Sequence, residues 1–155
     1  MGKIHAVSTS LGLCRLIIGE IDESEFLRRI EAEFRVRPVK SKKLLFQTRH
    51  GLDRYLSGRS RSIPAPVEFL HGTPFDRKVW DTLSRIPYGQ TRSYAWVARR
   101  IGRPRAFRAV GGACGRNPIP IVIPCHRVVS KSGGLGGYSG GLQYKKRLLH
   151  LEKAR

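Results

Sequence analysis

The stretch that most restricts this chain is Ile119-Pro120-Ile121-Val122-Ile123-Pro124-Cys125-His126-Arg127-Val128-Val129. β-Branched residues in succession favour a buried extended segment. Pro120 and Pro124 fix φ and lack an N–H, which argues against a helix and against a regular central strand. The expectation is a rigid extended segment that ends where a thiol, an imidazole and a guanidinium emerge together. Thiolate is the reactive form of cysteine, and a cation or a hydrogen-bonded imidazole stabilises it near neutral pH. Neighbouring side chains of an extended chain point opposite ways, so His126 would reach Cys125 through a water. A lone Cys-His pair is more often a packing feature than a site, because free cysteine is among the most buried residue types. The surrounding residues decide between the two.

Those surroundings are distinctive. Ile123-Pro124-Cys125-His126-Arg127-Val128-Val129 follows Arg116-Asn117-Pro118 and precedes Gly137-Tyr138-Ser139-Gly140-Gly141-Leu142. The combination resembles the active-site signature of the O6-alkylguanine-DNA alkyltransferases, which remove alkyl groups from damaged guanine. Thr73-Pro74-Phe75-Asp76-Arg77-Lys78-Val79-Trp80 and Ile86-Pro87-Tyr88-Gly89-Gln90-Thr91 are similar to the same family, and the resemblance runs from about Pro74 to Glu152.

Composition agrees with a polyanionic partner. Thirty Lys and Arg against eleven Asp and Glu leave a formal charge of +19 on 155 residues. Self-repulsion on that scale points to nucleic acid. An anionic membrane is the rival, but no long apolar span, signal peptide or amphipathic Lys-rich tail is seen. Cys14, Cys114 and Cys125 form no CxxC pair, which fits a reducing compartment and lacks zinc-ligand spacing.

In chain order, Ile4–Ser8 and Leu13–Ile18 read as a hairpin. A helix starts near Asp22 with Phe26, Ile30 and Phe34 on its apolar face, and a second runs from Leu44 to Leu56. His5 and His50 read as packing or surface residues, and no catalytic constellation is visible in this half. Arg59 to Pro66 is a polar, proline-punctuated connector. The expected architecture is mixed α+β, with two domains. Residues 1–66 form a small N-terminal α/β scaffold with a short antiparallel sheet, and residues 67–155 a mainly helical domain containing a helix-turn-helix. In the second domain Thr73 caps a helix that has Pro74 in its first turn. Ser93 caps another that carries Tyr94, Val97, Ala98 and Ile101. Gly102-Arg103-Pro104 breaks it, and a further helix covers Ala106 to Cys114, a helix-turn-helix pattern ringed by arginines. Gly111 and Gly112 inside that helix cost about 1 kcal/mol each relative to alanine, and either close ligand approach or tight helix packing would explain them.

The resemblance assigns roles. Cys125 would be nucleophile and alkyl acceptor, His126 its base through a water, and Glu152 the group orienting the histidine, a cysteine version of triad logic. Glu152 by itself reads as a charge on a C-terminal helix from Gly141 towards Lys153. Tyr94 would donate to guanine N3, Ser139 and nearby N–H groups would hold O6, Asn117 would brace the turn before the active-site segment, Lys145 would seat the base or shape the pocket, and Val128 would contact substrate. Arg127 reads as structural. On the DNA side, Arg108 would fill the gap left by a flipped nucleotide, with Arg105, Ala109, Gly111 and Arg116 also contacting DNA. The implied activity is stoichiometric transfer of an alkyl group from O6 of guanine to Cys125, with O4 of thymine left open as a second donor, with base flipping and no cofactor. The expected partner is double-stranded DNA carrying O6-alkylguanine, and the protein is expected to be cytoplasmic, nuclear in a eukaryote, and a monomer in solution, with cooperative binding along DNA left open. The rival readings are a non-catalytic damage-recognition relative, which would replace the acceptor cysteine, and a multiple-turnover thiol hydrolase.

Overall fold

The computed structural model describes residues 2–154, except for the side chains of Lys42 and Leu44. Its architecture is mixed α+β. Strands β1 (Ile4–Ser8) and β2 (Leu13–Ile18) form an antiparallel hairpin with a bulge between Val7 and Ser8. β2 turns Leu13, Leu16 and Ile18 into the core. On the outer side, α1 (Glu23–Phe34) lays Phe26 and Ile30 against Val7 and Ile17. Asp22 caps α1 by accepting from Glu25 N at 2.8 Å, and Glu23 and Glu25 place negative charge in its first turn. α2 (Lys42–Leu56) brings Leu52 and Tyr55 into the main core. His5 Nε2 lies 3.1 Å from the Ile21 carbonyl and its ring stacks on Phe26, whereas His50 is exposed.

The chain then crosses by an irregular segment to α3 (Pro74–Ser84), whose start is a complete capping box: Asp76 N donates to Thr73 Oγ1, and Thr73 N to Asp76. α3 supplies Val79, Trp80 and Leu83 to the core, and Trp80 Nε1 donates to Ala113 O at 2.9 Å. Two short helices follow, α4 (Tyr94–Arg100) and α5 (Phe107–Gly115), joined through Gly102. Ser93 caps α4 by accepting from Trp96 N. β3 (Arg92–Ser93) pairs in parallel with β4 (Val128–Val129), just after the cysteine, and α6 (Leu142–Leu151) ends the described chain.

One core serves both halves, running without interruption from Leu13, Leu52 and Tyr55 to Val97, Val110, Cys125 and Leu148. Backbone bonds stitch the halves as well. Leu13 N donates to Pro66 O at 2.7 Å, Glu68 N to Leu13 O at 2.9 Å, and Leu16 N to Pro118 O at 2.9 Å. The last of these fastens the hairpin to the loop that carries Asn117. Residues 1 and 155, at the outer ends of the two expected domains, lie outside the described residues.

Candidate active site

The segment around Cys125 is not extended as its composition predicts. Ile121 has φ +74°, Pro120 bridges back to Ile123, and Cys125–Arg127 form a single 3-10 turn. The prolines exclude a longer helix but admit one tight turn once the last of them has passed. Its effect is to fan the three side chains out at roughly 120° steps instead of alternating them. All three are buried: Cys125 is 3% exposed, His126 0% and Arg127 7%.

Each residue of the turn finds its own partners. Asn117 Nδ2 donates to Cys125 Sγ at 3.1 Å and to Ile123 O at 2.8 Å, while its Oδ1 accepts from Ile119 N at 3.0 Å. Asn117 thus holds both ends of the segment before the turn and also touches the thiol. His126 Nε2 lies 2.7 Å from Glu152 Oε1. Its Nδ1 is buried with no hydrogen-bond partner among the described residues. Arg127 clasps the same carboxylate, with Nε 2.9 Å from Oε2 and Nη2 3.0 Å from Oε1, and its Nη1 donates to Ile86 O at 2.6 Å. Glu152 is the C-cap residue of α6, and Gly89 N donates to its Oε2 at 3.0 Å. Gly89 has φ +75°, and a Cβ there would come within 3.1 Å of the Glu152 carbonyl oxygen, so glycine suits this turn on both counts.

The electrostatics follow from burial set against partners. Burial pushes the Cys125 thiol up from its ordinary value, opposed by the Asn117 hydrogen bond and by Lys145. Burial likewise lowers His126, against the pull of Glu152. At Glu152 burial works upward, but hydrogen bonds from His126 and Arg127 outweigh it and hold the carboxyl at about 2. The resting site is therefore a neutral thiol beside a neutral imidazole, backed by a fixed carboxylate.

Cys125 opens onto a cavity of about 380 Å³ lined also by Tyr94, Arg108, Gly111, Cys114 and Tyr138. Tyr94 stands at the mouth of α4, and burial raises its phenol to about 12, so it remains a donor. Gly136 (φ +65°) passes so close to Tyr94 that a Cβ there would lie 2.6 Å from its hydroxyl oxygen. Arg108 is exposed on α5, at the rim. Added Cβ atoms at Gly111 and Gly112 would meet only the Tyr94 ring at 3.9 Å and the flexible Arg116 guanidinium at 3.1 Å. Neither glycine is demanded by tight helix packing.

The remaining expected site residues lie in several different environments. Lys145 is fully buried and donates to Val128 O at 2.6 Å, to Leu135 O, and to Gly137 O at 3.4 Å, so it pins the glycine-rich loop over the cavity. With its ammonium committed to three carbonyls, the pocket-shaping alternative fits the geometry. Val128 has its side chain in the core and outside the residues lining the cavity. Ser139 is exposed and borders a separate cleft with Arg116 and Asn117. Arg116 is engaged by Asp76, at 2.7 Å, and Arg92 by Gln90 and the Trp96 ring. Arg99, Arg103, Arg105, Arg108 and Ala109 are exposed on or beside the helix pair. Tyr55, in the half read as having no catalytic constellation, donates to Glu152 Oε1. Its position in an amphipathic helix looks like any core position, and no signal in the sequence separates it from Leu52.

Fold and site together define a protein with a buried thiol, held by Asn117 near a His–Glu pair, that opens onto a cavity beside an arginine-rich helix pair. Residues 74–154 match the family described as 6-O-methylguanine DNA methyltransferase, DNA binding domain. The chain is 40% identical, over 97% of both lengths, to a protein of Acanthamoeba polyphaga mimivirus named probable methylated-DNA–protein-cysteine methyltransferase. It is 50% identical over 102 residues to the inducible methylated-DNA–protein-cysteine methyltransferase of Bacillus subtilis, an alignment covering 66% of this chain and 56% of that one. Among solved structures, Mycobacterium tuberculosis OGT in complex with DNA superposes with a TM-score of 0.83 at 36% identity, over 97% of this chain and 86% of that one. The chain belongs to the 6-O-methylguanine DNA methyltransferase family.

Proposed function

We propose that this protein repairs DNA by moving an alkyl group from O6 of guanine onto Cys125, once per molecule. The observation that carries the reading is the placement of Cys125. Its thiol forms part of a cavity wall, is touched by Asn117, and stands next to a histidine whose far nitrogen is fixed by a buried carboxylate. Double-stranded DNA docks on the α4–α5 face, where exposed arginines contact phosphates. The damaged nucleotide turns out of the duplex into the cavity, and Arg108 at its rim supports the gap.

The chemistry is an in-line displacement. The proton of Cys125 passes towards His126 Nδ1 through a water, and Glu152 holds the imidazole in orientation. The sulfur bonds to the alkyl carbon while the O6–carbon bond breaks, and its electrons return to the guanine ring. Tyr94 donates to the base as that charge develops, aided by backbone N–H groups of the Gly136–Ser139 loop that Lys145 holds in place. A thioether does not hydrolyse under these conditions, so the reaction ends there. Residues 67–155 carry this chemistry and residues 1–66 support it. The free cysteines fit a reducing compartment, the cytoplasm or, in a eukaryote, the nucleus. No helix among the described residues is long and apolar enough to cross a membrane.

The test is intact-mass measurement after incubation with duplex DNA carrying O6-methylguanine, followed by peptide mapping. A gain of one methylene equivalent on Cys125 that stops at one per protein is the expected result. Tight binding to the lesion without any gain would replace this reading with damage recognition alone, and repeated turnover would replace it with hydrolysis.

A further inference from the structure

Tyr55 is 1% exposed, near the C-terminal end of α2 and far from the cysteine in sequence. A tyrosine this deep must place its hydroxyl on a partner. It donates to Glu152 Oε1, the oxygen that His126 Nε2 also contacts, and the hydroxyl lies 3.5 Å from that nitrogen. The ring is fixed as well. It meets Tyr88 edge-on, with centroids 5.9 Å apart at 88°, and the Tyr88 hydroxyl donates to Leu151 O, one residue before Glu152.

We infer that Tyr55 is a positioning residue of the Cys125–His126–Glu152 relay, through which the N-terminal half sets the reactivity of the thiol. The inference rests on Cys125 being the alkyl acceptor. Two consequences follow from the shared oxygen. With Tyr55 and His126 converging on Oε1, the carboxylate has little freedom to swing, and the imidazole keeps one orientation. Tyr55 also competes for the negative charge on Oε1 and so holds His126 less basic. The other groups facing His126 are Arg127 and Lys145, which act in the same direction, and Glu152, which opposes them. Glu152 faces His126, Arg127, Tyr55 and Gly89 N. Burial and the adjacent Glu152 push the Tyr55 phenol up, so it donates throughout the working pH range.

The experiment is single-turnover transfer from an O6-methylguanine duplex, followed against pH, for the native protein and Tyr55→Phe. The variant keeps the ring and its edge contact and removes one oxygen. Its plateau rate is expected to fall on the order of tenfold, a fraction of a full general-base contribution. Its acidic limb moves to higher pH, because an Oε1 relieved of one donor favours the imidazolium. Affinity for the lesion duplex stays at the native value, since Tyr55 is buried and not among the residues lining the cavity. In a Glu152→Gln background Tyr55→Phe changes nothing further, as a residue acting through Glu152 requires. A profile superimposable on the native one, or an equal loss in the Glu152→Gln background, overturns the inference. Should Tyr55→Phe fail to fold, a ring-fluorinated tyrosine at position 55 gives the opposite readout: a stronger donor moves the acidic limb to lower pH, and an unmoved limb refutes the role. If the native protein itself takes up no alkyl group, it is the repair reading that fails instead.

Discussion

Replacing Arg127 by methionine tests how the buried charges of the site are balanced. Arg127 is 7% exposed and Glu152 3% exposed, and their fork contacts measure 2.9 and 3.0 Å. Removing one member of a buried ion pair typically costs about 3–5 kcal/mol because the other charge is left uncompensated. Here Glu152 keeps His126, Tyr55 and Gly89 N, while Ile86 O loses the donor that reaches it at 2.6 Å. The expected loss is therefore at the lower end, roughly 3 kcal/mol at neutral pH. The pH dependence carries the diagnosis. Glu152 is held at about 2, below its ordinary 4.5, so its stabilisation is fully present above 4.5 and lost as pH falls through about 2. Without Arg127 that carboxyl moves back up towards the ordinary range. Urea unfolding of both proteins from pH 7 downward should then show a gap that is constant above pH 4.5 and narrows as acid protonates Glu152 in the native protein. A gap independent of pH would mean that Arg127 contributes packing and not charge, and would refute the electrostatic account.

Three further outcomes are expected. Asn117→Ala removes the donor to the thiol and orphans Ile119 N, while Ile123 O keeps the Cys125 N donor at 2.8 Å; it should cost about 1–3 kcal/mol in urea unfolding and push the thiol further up in a pH titration of its alkylation. Gly136→Ala places a Cβ against the Tyr94 hydroxyl at a φ of +65°, and should slow single-turnover alkyl transfer more than it weakens binding of undamaged duplex. Arg103→Ala and Arg105→Ala, both on the exposed turn between α4 and α5, should each reduce the slope of log K against log salt by about 1, with little change in melting temperature.

Much of the molecule is legible because it obeys local rules. Thr73-Pro74, Asp22 and Ser93 announce their helices by capping chemistry, and each cap forms as the residue types require. The hairpin follows from alternation around Gly12. The proline-cysteine stretch is legible as a site but not in its shape. A β-branched run says "extended", and the local side-chain contacts of Asn117 with Ile119 N and Ile123 O, which a reading of hydropathy and β-propensity misses, help to fold it into a turn. Asn117 is the only asparagine in the chain, and that rarity carried no hint of its contact with the thiol. Lys145 resembles its exposed neighbours Lys146 and Arg147, yet the loop carbonyls that bury it lie at 128, 135 and 137. Tyr55 was invisible for the same reason: its partner lies 97 residues away. What the sequence cannot express is which polar side chain will meet which distant partner inside a shared core.

The charge states at rest follow from that core. A thiol pushed up and an imidazole pushed down, by the same burial, favour the uncharged pair over the ion pair. A protein that reacts once loses itself to any stray electrophile, so an idle thiolate would be costly. The groups that favour the charged pair are already in place: Asn117 and Lys145 for the sulfur, Glu152 for the histidine. What remains is a driving force from outside, and a base held in the cavity supplies one. In the proposed reaction its alkyl carbon would accept the sulfur as the proton leaves, and its ring would accept charge beside the Tyr94 hydroxyl. On the proposed mechanism, burial of Cys125 and recognition of the lesion are one device: the thiol would become a nucleophile only when the correct carbon is next to it.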